Sequence, residues 1–427
     1  MMNGWEKSDS AIVATKPANK ASNLAAEWVE PRAGTKGNTG QPHTRRAQNR
    51  ASVPQGLERV RQAARQRKKE RFTALLHHVS ADRLRESFYA LKRNAAPGVD
   101  GRLARRVAQR ARSEAARLAG AFRARLRNGH VRECHGDLHL GNIVLLDGVP
   151  TPFDCLEFEA ALRWTDTISD LAFPVMDLLH HGRPALAYRL LNGYLEQSGD
   201  YGALAVLPFY LAMRALVRAR VLLERACQQH AAGASMAPAQ AEAGRLLALA
   251  WRCLNRRRGP MVLMHGLSGS GKSTAAAQMS EAGAMVRVRS DAVRKSLHRG
   301  VAPASGWYAA SETARTYRRL LAVCRLGCRA GFPMIADATF LVRAERERFA
   351  AQALRLGVPF AIVTCEASPE TLRARIAARA RAGRDLSDAD NGVLAWQMRV
   401  QEPLTEAERA CVASPGSFMG RATPGCG

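Results

Sequence analysis

The stretch MVLMHGLSGSGKST, residues 261–274, decides the fold. A short apolar run ends in a glycine-rich turn, and the turn opens a helix-compatible segment, STAAAQM. The turn fits the spacing G-x-x-x-x-G-K-[ST], in which backbone N–H groups and a helix N-terminus converge on phosphate oxygens. Working outward, short apolar runs recur as MVRV at 285–288, PMIAD at 333–337 and PFAIVTC at 359–365, each separated by a helical pattern. That alternation predicts a parallel sheet with crossover helices. The expected fold class is α/β: a P-loop NTPase sheet with flanking helices, preceded by a mostly helical lobe and a largely disordered basic N-terminus.

The residue types in the turn carry specific chemistry. Gly266, Ser268, Gly269, Ser270, Gly271, Lys272, Ser273 and Thr274 are the candidate nucleotide cradle. Lys272 supplies charge for the β/γ-phosphates, and the Ser273 hydroxyl can ligate Mg²⁺, so ATP and Mg²⁺ are the expected cofactors. Asp291 follows the second strand, with Arg294 and Lys295 a turn later. A carboxylate there can take the proton of an acceptor hydroxyl while Arg294 holds the acceptor's charge. Asp337 closes the third strand, where it can organise the metal. Arg373, Arg375, Arg379, Arg381 and Arg384 crowd a dozen residues, as a lid over a transferring phosphoryl group requires. A helix-capping Asp291 and a solvated basic helix are the plainer alternatives.

Residues 261–404, on GLSGSGKST, RSDAVRK, DATF, the arginine segment, SDAD and Gln397, resemble the small P-loop kinases of the gluconate kinase, zeta toxin and polynucleotide kinase-like group. The resemblance implies phosphoryl transfer from ATP to a small hydroxyl-bearing molecule. Such domains add another strand after the position of Glu402-Pro403-Leu404, whereas 412–427 has no strand pattern. The sheet is therefore expected to end incomplete, with an irregular tail from 411.

Residues 131–159 hold a second constellation: His135-Gly136-Asp137, then Asn142, then Asp154 on the next strand. Asp137 can orient an acceptor hydroxyl, and Asn142 with Asp154 can hold a metal on phosphates. Asp166 and Asp170 are expected to brace the loop or the following helix. Residues 102–255 resemble the C-terminal lobe of aminoglycoside phosphotransferase-like proteins. Their position before a P-loop segment resembles the bifunctional aminoglycoside phosphotransferase/ATP-binding proteins. The resemblance implies Asp137 as base and Asn142 with Asp154 as metal ligands. No lysine-bearing β-lobe precedes them, so this site is expected to be an inactive relic.

The charge is uneven: of +27 in 427 residues, +17 lies in 1–140, +1 in 141–260 and +9 in 261–427. A basic N-terminal third fits either a polyanion-binding segment or a solvated arginine-rich surface. Residues 1–56 read as disordered. Residues 70–101, ending KRNAAPGVDG, resemble the start of a group II intron reverse transcriptase/maturase. No Y/F-x-D-D palm motif follows, so polymerase activity is not expected. Arg61, Arg65, Arg67, Lys68 and Lys69 could still bind RNA through its phosphates. The expected division is 1–101, 102–257, 258–410 and 411–427. Nine scattered cysteines without a CxxC pair read as ordinary thiols of a reducing compartment. No run of 18 apolar residues occurs, so the expected setting is cytoplasmic, away from membranes. An ATP-binding P-loop phosphotransferase is the leading reading, and a non-catalytic RNA-binding intron remnant is the alternative.

Overall fold

A computed structural model describes residues 101–157, 160–231, 235–298, 309–382 and 389–419. The expectations for residues 1–100 and for Arg384 lie outside the described residues. Contacts divide the chain into two units, 1–77 and 78–427, and every described residue belongs to the second.

The described chain begins with helix α1 (Gly101–Arg127), followed by β1 (Val131–Glu133), the hairpin β2 (Ile143–Leu146) and β3 (Val149–Pro152), α2 (Ala160–Arg163) and β4 (Trp164–Asp166). Four longer helices follow: α3 (Thr167–His180), α4 (Pro184–Ser198), α5 (Leu207–Ala231) and α6 (Ala237–Leu254). The hairpin turns on Asp147 and Gly148, with φ of 51° and 76°. Asp-Gly tolerates the left-handed pair that matches strand twist. α3, α4 and α5 bury Ile168, Phe173, Met176, Leu191, Leu195 and Leu211, and α1 lies against α5 and α6.

One arginine of α1 is an exception to its exposed basic face. Arg125 is buried because it forks onto Asp166 at 2.6 and 2.8 Å and onto Asp200 at 2.6 and 2.9 Å. Burial opposes its charge, but the two carboxylates outweigh that and raise its pKa. Asp166 also caps α3 by accepting from Ile168 N. The brace foreseen for this aspartate is present.

From Met261 the chain alternates strand and helix: β5 (Met261–His265), α7 (Lys272–Ala282), β6 (Val286–Arg289), α8 (Ser290–Leu297), α9 (Ala310–Arg329), β7 (Met334–Asp337), α10 (Arg343–Leu356) and β8 (Phe360–Thr364). All pairings are parallel and the strand order is β6-β7-β5-β8. β5 and β7 are buried along their whole length, as central strands covered on both faces must be. This is the P-loop NTPase sheet expected from the alternation. Cys324 and Cys328, one turn apart on α9, are buried free thiols. Burial pushes Cys328 up to about 12 and Cys324 well above its ordinary value.

Among the described residues the end of the chain adds no fifth strand to the sheet, yet a single bridge ties it to β8. After α11 (Pro369–Ala382), α12 (Asn391–Val400) and α13 (Glu406–Arg409), Val412 forms one parallel bridge to Ile362 of β8. Ile362 N donates to Cys411 O at 3.0 Å, and Ala413 N donates to Ile362 O at 2.9 Å. Phe418 and Met419 then pack on the core formed by Val262, Met264, Met279 and Ile335. Arg346, 1% exposed, anchors the approach to this bridge. It donates to the carbonyls of Phe340, Leu341, Glu402 and Pro403 and pairs with Glu408 at 2.7 Å.

Candidate functional site

The glycine-rich turn leaves β5 at the C-terminal end of the sheet, where β5 lies between β7 and β8. In open parallel sheets, ligands settle at such a switch point. Gly266 has φ 137°, and a Cβ there would lie 2.2 Å from the carbonyl oxygen of Cys365. Only glycine fits between the turn and the end of β8. Gly271, at φ 94°, caps α7 in the left-handed conformation. Left-handed residues within such a turn swing successive N–H groups toward one concave side.

Neighbouring segments hold the turn. Gly266 N donates to Thr339 O at 3.1 Å, Ser270 N to Leu267 O at 3.2 Å and Ser268 N to Gln397 Oε1 at 2.9 Å. Gln397 is buried on α12, and Leu267 packs on Leu372, Ile376 and Leu394 of α11 and α12. Arg375 of α11 donates to Gly269 O at 3.2 Å.

Lys272 is 7% exposed and donates to Leu267 O at 2.6 Å and Ser270 Oγ at 3.4 Å. Burial lowers its pKa to about 8, against the pull of Asp337. Ser273 Oγ donates to Asp337 Oδ1 at 3.2 Å, and Asp337 Oδ2 is buried without a hydrogen-bond partner. Burial raises the Asp337 pKa, with Arg287, Arg289 and Lys272 acting in opposition. A hydroxyl and a buried carboxylate are hard oxygen donors, the set that suits Mg²⁺. Thr274 is exposed on the first turn of α7.

Asp291 lies in the first turn of α8 and pairs with the buried Arg294 at 3.2 Å. Of the arginine segment, Arg379 is half-buried and donates to Ala389 O at 2.6 Å, while Arg373, Arg375 and Arg381 are exposed. Sequence reasoning missed Arg287 and Arg289, which alternate on one face of β6. It also missed Phe340 after Asp337, a buried residue at φ 48° whose N–H donates to Tyr317 Oη at 3.2 Å. The strand pattern exposed neither signal, because both depend on what packs against these residues.

The His135–Asn142 loop is arranged differently. Asp170 accepts from the N–H groups of His135 and Gly136, each at 3.0 Å, as the sequence suggested. Buried Arg214 donates to Ser169 O and Gly136 O. The side-chain amide of Asn142 donates to Asp137 O at 3.0 Å and contacts Asp137 Oδ2 and Asp154 O, each at 3.5 Å. Asp154 has φ 61°. Asp137, Asn142 and Asp154 are thus brought together, with His139 at 3.6 Å from Asp137. Burial, then Arg218, lowers the His139 pKa. Among the described residues no cluster of three His, Cys, Asp or Glu has the geometry to hold a metal ion, and no helix is long and apolar enough to cross a membrane.

Residues 261–404, about a third of the chain, match a family model described as an AAA domain. Uncharacterised proteins of Mycobacterium tuberculosis and Mycobacterium bovis are 33% identical over 315 residues, which is 71% of this chain. The chain spans 61% of the length of these relatives. Among solved structures, the APS kinase of Mycobacterium tuberculosis is similar at 21% identity and TM-score 0.28, covering 37% of this chain and 90% of that one. A gluconokinase from Sinorhizobium meliloti is similar at 21% identity and TM-score 0.27, covering 38% and 83%. The fold described above rests on strand order and register.

Proposed function

We infer that the chain is an ATP-dependent phosphotransferase acting on a small hydroxyl-bearing molecule, with its chemistry in the P-loop region. The observation that carries this reading is the grouping of buried Lys272 with the Ser273–Asp337 pair at the C-terminal ends of β5 and β7. Asp291, paired to Arg294 after β6, is near enough to Lys272 to favour its charge. The turn from Gly266 to Thr274 holds the phosphates, with Lys272 on the β/γ end. Ser273 and Asp337 would hold Mg²⁺, which when bound would neutralise charge on the phosphate oxygens. Asp291 accepts the proton of the acceptor hydroxyl, and Arg294 fixes the acceptor. Arg379, with Arg384, spreads the charge of the transferring group.

Residues 102–257 form the second functional division, resembling a phosphotransferase C-lobe without its nucleotide-binding partner lobe. Here Asp137, Asn142 and Asp154 are a relic, and the region serves as a platform for residues 258–410. The test is ATP consumption by the full chain, screened against pooled hydroxyl acceptors in parallel with Lys272→Ala. Acceptor-stimulated consumption that the variant loses supports the reading. A folded chain that ignores ATP–Mg²⁺ removes it.

A further inference from the structure

The edge strand β6 is bounded by α4 of the helical region. Asn192 of α4 donates its amide to Met285 O at 3.0 Å and accepts from Arg287 N at 2.8 Å. Its side-chain amide thereby makes the pair of bonds that a neighbouring strand would make. One turn later, Glu196 accepts from Arg287 at 3.1 Å and from Arg289 at 3.3 Å. All three side chains are at most 20% exposed, so the attraction is little screened.

These arginines reach the centre from the other side. Arg287 Nη1 donates to Ser273 O at 3.0 Å, beside the hydroxyl that meets Asp337. Arg289 is the direct strand neighbour of Asp337 in the β6–β7 register. Two guanidinium groups therefore stand between two carboxylates: Glu196 on the helical side and Asp337 on the catalytic side. With Glu196 present, both cations are drawn toward α4, leaving Asp337 to Ser273. With Glu196 removed, Arg287 loses the carboxylate that draws it toward α4 and faces Asp337, whose buried Oδ2 has no hydrogen-bond partner. Closure of a guanidinium onto that oxygen would then compete with a metal ion for it.

We propose that Glu196 is a positioning residue for the P-loop centre, holding Arg287 off Asp337 so that the Ser273–Asp337 pair stays available to Mg²⁺. The inference rests on the phosphotransferase reading above. It makes the helical region part of the machinery through one side chain.

The experiment titrates a non-hydrolysable ATP analogue into the full chain by calorimetry, first in chelator and then across a Mg²⁺ series. In Glu196→Ala the half-saturating Mg²⁺ concentration should rise about tenfold, as is usual when the outer support of a metal ligand is lost. Affinity in chelator should hold, because Lys272 and the glycine turn are untouched. Glu196→Gln, which keeps the size and one acceptor oxygen, should shift in the same direction by less. Arg189→Ala, which breaks the exposed Arg189–Glu281 pair across the same contact, should leave the Mg²⁺ dependence unchanged. Should Glu196→Ala fail to fold, Glu196→Gln decides the matter by the presence or absence of its shift. An unchanged Mg²⁺ requirement overturns the proposal, and so does an equal shift in Arg189→Ala, which would mark general loosening. A wild-type chain that binds no nucleotide overturns the phosphotransferase reading itself, a result distinct from binding without a Glu196 effect.

Discussion

The turn at 266–274 and the loop at 135–142 each follow a strand and each carry acidic partners, yet they direct their polar groups oppositely. In the second loop, Asp170 takes the N–H groups of His135 and Gly136, and Asp177 takes that of Leu140. Arg214, the neighbouring buried cation, is spent on the carbonyls of Ser169 and Gly136. Donors engaged by internal carboxylates are not available to a phosphate. In the glycine turn, left-handed glycines shape the backbone, and neutral oxygens of Gln397 and Leu267 take the N–H groups of Ser268 and Ser270. The buried cation Lys272 donates within the turn to Leu267 O and Ser270 Oγ, with no carboxylate among these partners. The difference teaches that a catalytic-looking aspartate matters less than where the surrounding donors point.

Removing the cation should break the comparison most visibly. Lys272→Ala should cut ATP-dependent turnover by about two orders of magnitude or more, roughly 3 kcal/mol of transition-state stabilisation. Steady-state kinetics of the folded variant would check this, and undiminished turnover would sink the assignment of chemistry to this turn.

The next effect is on stability rather than activity. Asp170→Asn removes the charge facing buried Arg214 and weakens two backbone bonds. It should cost about 2 kcal/mol in chemical denaturation while ATP turnover persists. Lost turnover in a folded Asp170→Asn protein would show that the second loop takes part in the chemistry.

A smaller effect is one of pH. Burial lowers Lys272 from 10.5 to about 8, so the folded chain carries the cation below that pH and loses it above. ATP affinity should be level below about pH 8 and fall above it, approaching tenfold per pH unit. Folding stability should run the other way between about 8 and 10.5, rising with pH, because the unfolded lysine binds the proton more tightly. Calorimetric affinities on both sides of the transition test the first sign, and an affinity that rises with pH would contradict it. The smallest effect belongs to Asp137, where Asp137→Ala should leave ATP turnover unchanged. A large loss in that variant would make the relic a working site.

Much of the glycine turn was legible because its chemistry is local: residue types at fixed spacing impose one backbone shape. The parallel strands were legible for the same reason, as short apolar runs separated by helical patterns. Asp170 was also anticipated as a brace, from its position just beyond the loop it holds. What stayed hidden depends on long-range docking. Glu196 meets Arg287 and Arg289 only because α4 lies along β6, and in sequence it is an ordinary polar residue of a helix. Arg346 reads as one more surface arginine of α10, yet it is buried by carbonyls from 340–341 and 402–403. The bridge at Val412 escaped notice because a single pairing leaves no periodic pattern.

The central claim is that one nucleotide site exists per chain and that it is the glycine turn. Titration of an ATP analogue with Mg²⁺ into wild type, Lys272→Ala and Asp137→Ala tests it directly, through stoichiometry as well as affinity. The account predicts a single nucleotide per chain in wild type and Asp137→Ala, and binding lost or severely weakened in Lys272→Ala. Two nucleotides per wild-type chain, or binding that survives Lys272→Ala and disappears with Asp137→Ala, would contradict it.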